Sequence, residues 1–245
     1  SDEILKKLQQ AKKPLVIAGP AAANARGRAM LRAFEEATGV PALVMESPRG
    51  VNDPSQGLLA EVLAAVDVVV LAGKRCDFTL KFGAAFGKDC RVIEAEGGPI
   101  EAGAGRWPKS GWLDEARSAL AFRPAHWRTL VSAPGGPLHP VEVGRAVQKL
   151  LSAPDAVLVA DGGEFGQWAQ ATVTAPHRVI NGVAGAIGAA LPFAAAAKLA
   201  LPGSTVAAML GDGTFGFHSA EIDTAVRYGL DYVAVVGNDR CWNAE

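Results

Sequence analysis

Two carboxylates, Asp212 in Gly211-Asp212-Gly213 and Asp239 in Asn238-Asp239, each follow an apolar run, Val206 to Leu210 and Tyr232 to Val236. Between the runs Ala220, Ile222, Ala225 and Val226 recur at helical spacing, with Glu221 early, Arg227 late and Gly229 as a left-handed stop. The pattern predicts strand, one helix of about three turns, and strand. A right-handed crossover then makes the strands parallel neighbours about 4.8 Å apart, with both carboxylates at one carboxyl edge. Such edges bind ligands, and a helix starting after Gly213 offers unpaired N–H groups to an anion. A hard cation, Mg²⁺ or Ca²⁺, takes oxygens from carboxylates, carbonyls, phosphate and water. Together these residues predict a diphosphate held through a divalent ion. Gly-Asp-Gly alone is ordinarily a turn, and the spacing to Asp239 is what sets it apart.

The elements that must position these groups alternate along the whole chain. Pro14 to Gly19, Ala42 to Met45, Asp67 to Ala72 and Arg91 to Glu94 read as strands, and Ala25 to Thr38 as an amphipathic helix closed by Gly39. This alternation predicts an α/β fold, two consecutive Rossmann-like parallel-sheet domains with the second truncated. The densest Pro/Gly cluster lies at 131–140, so the expected layout is a domain over 1–130, a linker over 131–140 and a diphosphate- and metal-binding domain over 141–245.

The Gly211-Asp212-Gly213 to Asn238-Asp239 segment resembles the thiamine-diphosphate signature of the acetolactate-synthase-like enzymes. Upstream, Asn181 to Pro192 resembles the stretch by which that family grips the cofactor's pyrimidine, and Ala156 to Gly163 the strand and turn on the other side of the diphosphate. The resemblance implies Asp212 and Asp239 as side-chain ligands of Mg²⁺ or Ca²⁺, with Cys241 giving its main-chain carbonyl. It implies that the Gly185 carbonyl accepts from the aminopyrimidine and that Ile187 is the wedge that bends the cofactor. Gly211, Gly213 and Thr214, with Gly163, Glu164 and Phe165 across the cleft, would surround the diphosphate. Read without the resemblance, Ile187 and the small residues from Gly182 to Ala200 fit a tightly packed core helix. His218 fits a capping or surface role beside a possible phosphate contact, and His126, His139 and His177 lack metal-ligand spacing.

Two positions depart from the family pattern. Asp239 stands where asparagine is usual, adding negative charge that the metal must offset, so occupancy should depend on pH. Glu164-Phe165 stands where a typical acetolactate synthase has Gln-His, which loosens that substrate assignment. The first half resembles the family's central domain in Leu71 to Gly83 and Glu94 to Gly98. In relatives that domain can hold FAD, ADP or coenzyme A. Here Gly19-Pro-Ala-Ala-Ala23 lacks the glycine pattern of a dinucleotide turn. Lys74, Arg75 and Glu96 could meet a nucleotide, with surface salt bridges the stronger reading.

The family chemistry implied is addition of the cofactor's activated carbon to a 2-oxo acid or related carbonyl, then C–C cleavage or joining. Decarboxylase, carboligase and 2-hydroxyacyl-CoA lyase or oxalyl-CoA-decarboxylase-like reactions share every motif above. The activating glutamate is expected on an N-terminal domain that does not precede Ser1, so the catalytic residue is unassigned, and the chain alone is expected to be inactive. The intact enzyme would be a homodimer or homotetramer, acting on a small 2-oxo acid or acyl-CoA. A non-catalytic nucleotide-binding module is the competing class, with an NAD-dependent oxidoreductase third.

A net charge of −1 over 245 residues argues against nucleic-acid and membrane-surface partners. Three widely spaced cysteines support neither a disulfide framework nor a zinc site. The Ala-rich run ending near Lys198 is shorter than the roughly 20 residues that cross a bilayer, and Ser1 to Lys7 has no signal-peptide character, so the cytoplasm is expected.

Overall fold

A computed structural model describes residues 2–96, 110–181 and 184–240, and the chain divides into two compact units, 1–122 and 123–245. The first runs α1 (Asp2–Gln10), β1 (Pro14–Ala18), α2 (Ala25–Thr38), β2 (Ala42–Val44), α3 (Leu59–Ala65), β3 (Val68–Ala72), β4 (Arg91–Ala95) and α4 (Trp112–Leu120). Its sheet is all parallel in the order β2-β1-β3-β4. Alternate residues of β1 serve opposite faces. Leu15 and Ile17 pack with Leu59, Leu63 and Trp112, while Val16 and Ala18 pack with Leu8, Leu31 and Phe34. Helix α2 starts and stops where its caps dictate. Asn24 accepts from the Gly27 N–H at 2.9 Å, and Gly39, at φ 69°, returns its N–H to the Glu35 carbonyl.

The second unit runs α5 (Pro140–Leu150), β5 (Val157–Ala160), α6 (Gly163–Thr172), β6 (His177–Ile180), α7 (Ala190–Ala200), β7 (Val206–Gly211), α8 (Asp212–His218), α9 (Glu221–Arg227) and β8 (Val233–Gly237). Its four strands are also parallel, in the order β6-β5-β7-β8. Leu158, Ala160, Ala207 and Met209 face Val147 of α5 and Ala169 of α6, whereas Val157, Val159, Ala208 and Leu210 face Ala190, Leu191 and Ala194 of α7. The α/β architecture expected for both halves is present.

Two expectations are corrected. The single helix between β7 and β8 is two short ones, because at Ser219 and Ala220 the bonding tightens to i→i+3, with Ile222 N–H on the Ser219 carbonyl and Asp223 N–H on the Ala220 carbonyl. The Ala-rich segment becomes helical only at Ala190, and the described residues 184–189 before it form a glycine-containing loop. The sequence placed the linker at 131–140. Residues just before it pack within the second unit, where Arg123 donates to the Ala171 carbonyl at 2.7 Å and Arg145 to the carbonyls of Trp127 and Leu130. Among the described residues no helix is long and apolar enough to cross a membrane.

Candidate functional site

The carboxyl edge of the second sheet gathers the expected residues onto four chain segments. β7 and β8 are paired to their last residues, Leu210 with Val236 and Gly211 with Gly237. Asp212 and Asn238-Asp239 therefore leave the same edge of adjacent strands, as the spacing predicted. Gly211 ends β7 in extended geometry, and the half-buried Asp212 and Gly213 open α8. The Thr214 hydroxyl is turned inward, donating to the Gly211 carbonyl at 2.9 Å, and Thr214 is buried. Asp239 is exposed just past β8. Cys241 lies outside the described residues. Among the described residues no group of three or more His, Cys, Asp or Glu side chains could hold a metal ion.

Across the edge, β5 runs directly into the turn Asp161-Gly162-Gly163. Gly163 has φ 73°, a conformation costly for any residue with a Cβ, and a Cβ there would meet nothing within 4 Å. It is the first residue of the ten-residue helix α6. Glu164 is exposed and accepts from Trp168 Nε1 at 3.3 Å. The Trp168 ring lies 5.4 Å from both the Trp127 and His139 rings. Phe165 is half-buried with its ring on the backbone of Gly237, where an added Cβ would fall 2.3 Å from the ring. Its side chain thus tops β8, a contact that the expectation of a backbone role at the diphosphate did not include.

In the loop 184–189, Gly185 has φ 74° and Ile187 is half-buried. A Cβ on Gly162 would stand 2.3 Å from Ile187 Cγ2, so the isoleucine rests on bare backbone. His218, at the end of α8, is exposed, in keeping with the surface role considered for it, and places Nδ1 2.8 Å from the Gly188 carbonyl. Asp161 was overlooked. It is fully buried and binds backbone N–H groups of this loop. A polar residue closing an apolar strand before Gly-Gly was the available signal.

In the first unit a cavity of about 480 Å³ opens at the corresponding edge, lined by Gly19, Ala22, Asn24, Gly27 and Met30 among others. Lys74 is not presented to it as a free cation. The lysine is buried and its Nζ lies 2.7 and 2.8 Å from the two Asp77 oxygens. Burial pushes the Asp77 carboxyl up, but hydrogen bonds from Lys74 and Thr79 and the lysine charge outweigh it and leave the group below its ordinary range. Arg75 and Glu96 are exposed.

Comparison with known families matches residues 1–121 to "Thiamine pyrophosphate enzyme, central domain" and 161–245 to "Thiamine pyrophosphate enzyme, C-terminal TPP binding domain". The chain belongs to the thiamine pyrophosphate enzymes. Within that family it is similar to a probable acetolactate synthase of Mycobacterium bovis, 30% identical over 97% of this chain and 49% of the relative. It is also similar to 2-hydroxyacyl-CoA lyase 2 of Homo sapiens, 31% identical over 96% of this chain and 43% of the relative, and to that of Mus musculus, at 32% with the same coverage. The chain spans a little under half the length of these curated relatives.

Proposed function

We propose that the protein is a thiamine-diphosphate-dependent enzyme that cleaves or forms a C–C bond next to a carbonyl, its substrate a 2-oxo acid or an acyl-CoA. The observation that carries this reading is the in-register ending of β7 and β8 at Gly211 and Gly237, opposite the Asp161-Gly-Gly turn of β5. Bound thiamine diphosphate supplies a nucleophilic carbon and an electron sink for such reactions.

The residues fit that group. Gly163 and Gly185 hold positive φ without side chains that would obstruct an approaching ligand, and the start of α6 presents N–H groups suited to a diphosphate. Asp212 and Asp239 would hold Mg²⁺ with the Cys241 carbonyl, and the ion offsets the charge that diphosphate and two carboxylates bring together. Gly185 would receive the pyrimidine, Ile187 would press against the cofactor, and the half-buried Phe165 would exclude water beside it. Gly211, Gly213, Thr214, Gly163 and Glu164 would complete the wall. The working enzyme is read as a homodimer or homotetramer, which sedimentation would check.

The 2-hydroxyacyl-CoA lyase reading draws on the two lyase relatives and on Glu164-Phe165. The test is calorimetric titration of the full-length protein with thiamine diphosphate and Mg²⁺, then assays against 2-oxo acids and 2-hydroxyacyl-CoA thioesters. Saturable, metal-dependent binding with turnover of one class is expected. Binding of NAD instead, or no affinity for thiamine diphosphate, would overturn the reading.

A further inference from the structure

Asp161 carries a duty that none of the expected site residues shares. It follows β5 with no exposed surface, and a buried acid is costly unless its oxygens are hydrogen-bonded. Both oxygens serve as acceptors for backbone N–H groups. Gly162 donates at 2.7 Å, Gly188 at 3.1 Å to each oxygen, and Ala190 at 2.9 Å. Gly188 and Ala190 lie 27 and 29 residues further along the chain, so one side chain ties the end of β5 to the loop 184–189 and to the first residue of α7. The start of that eleven-residue helix favours an acidic group.

The neighbouring glycine completes the seat. A Cβ on Gly162 would fall 2.3 Å from Ile187 Cγ2 and 3.1 Å from Asn181 Nδ2, so the loop lies as close as backbone allows. From the other side Gly188, at φ 99°, leaves no room for a Cβ, which would sit 2.6 Å from Phe217 Cβ, and its carbonyl meets His218 Nδ1. The loop is thus gripped from β5 and from α8.

We propose that Asp161, with the bare backbone of Gly162, is the positioning element that fixes loop 184–189, and with it Gly185 and Ile187, in the geometry needed to bind the cofactor. This rests on the thiamine-diphosphate reading of the site. Asp161 itself touches no reacting atom. In an asparagine the amide NH₂ would face the N–H of Gly162 or, turned over, that of Ala190, and that of Gly188 in either setting, so the seat loses an acceptor whichever way the amide lies.

The experiment uses full-length protein carrying Asp161→Asn or Gly162→Ala. Hydrogen exchange of the peptide spanning 184–191 is followed without ligand, and affinity for thiamine diphosphate with Mg²⁺ is measured separately from turnover at saturating cofactor. Exchange in that peptide is expected to rise in both variants while β1 and β3 stay protected. Cofactor affinity should fall about tenfold or more, with saturated turnover far less affected, since displacement of a binding group is read mainly in binding. A folded Asp161→Asn protein with unchanged exchange, or with a lower melting point and unchanged cofactor affinity, would overturn the proposal. If that variant does not fold, Gly162→Ala decides by the same readings. Wild-type protein that fails to bind thiamine diphosphate sinks the functional reading alone, because the ligand-free exchange still decides whether the seat exists.

Discussion

The two sheets share one strand order, yet their carboxyl edges are closed by opposite means. In the first unit backbone meets backbone. A Cβ on Gly19, after β1, would fall 2.0 Å from the Gly73 carbonyl oxygen after β3, and a Cβ on Gly50 would fall 2.0 Å from that of Thr79. In the second unit a carboxyl group and an isoleucine occupy the equivalent ground. The shared topology supplies the location of a ligand edge in both halves, and the few residues after the first central strand decide what chemistry it offers.

If the cores are equivalent, truncating their central leucines should hurt both alike. Leu15→Ala and Leu158→Ala, each at a fully buried position, should cost about 3 kcal/mol by denaturant unfolding. A loss under about 1 kcal/mol at either site would break the equivalence. Gly19→Ala should cost about 2 kcal/mol or more, because the obstructing atoms are main chain, whereas Gly203→Ala, with nothing within 4 Å, should stay within about 0.5 kcal/mol. Gly39→Ala also meets open space, so only its φ of 69° opposes it, and about 1 kcal/mol is expected.

Acid should act on the first edge through Asp77. Its folded value is depressed, so its contribution is present above the unfolded value, 3.8, and is lost as pH falls through the lower folded value. Asp77→Asn should flatten the decline in stability below that pH, as followed by thermal unfolding across an acid series. The smallest effect belongs to Tyr232, whose buried hydroxyl has no hydrogen-bond partner among the described groups and whose ionisation is pushed up by burial and then by Glu221. Tyr232→Phe should leave the melting point unchanged or slightly raised.

Local signals were sufficient where the controlling atoms are close in sequence. Asn24 and Gly39 bracket α2 at both predicted ends, and the apolar runs at Leu15, Val69, Leu158 and Met209 became buried parallel strands. The crossover from β7 to β8 was legible because strand period and the Gly229 stop are local properties. What escaped notice depends on distant partners. Nothing near Asp161 announces that its acceptors are needed by Gly188 and Ala190, and nothing near Ile187 distinguishes a core helix from a loop held on Gly162. The break at Ser219-Ala220 was equally hidden, since both residues keep helical dihedrals and only the hydrogen-bond spacing changes. Phe165 looked like part of a ligand wall, and its contact with Gly237 required knowing that β5 flanks β7 on the side away from β8.

The tilted pair of Trp127 and Trp168, 54° between planes, with His139 edge-on to Trp168, gives this half of the molecule a native optical reporter. Because the Trp168 indole N–H is held by Glu164, a charged molecule arriving beside that carboxylate changes the polarity around the excited ring. Emission colour and near-ultraviolet dichroism should therefore register occupancy of the edge without any attached dye.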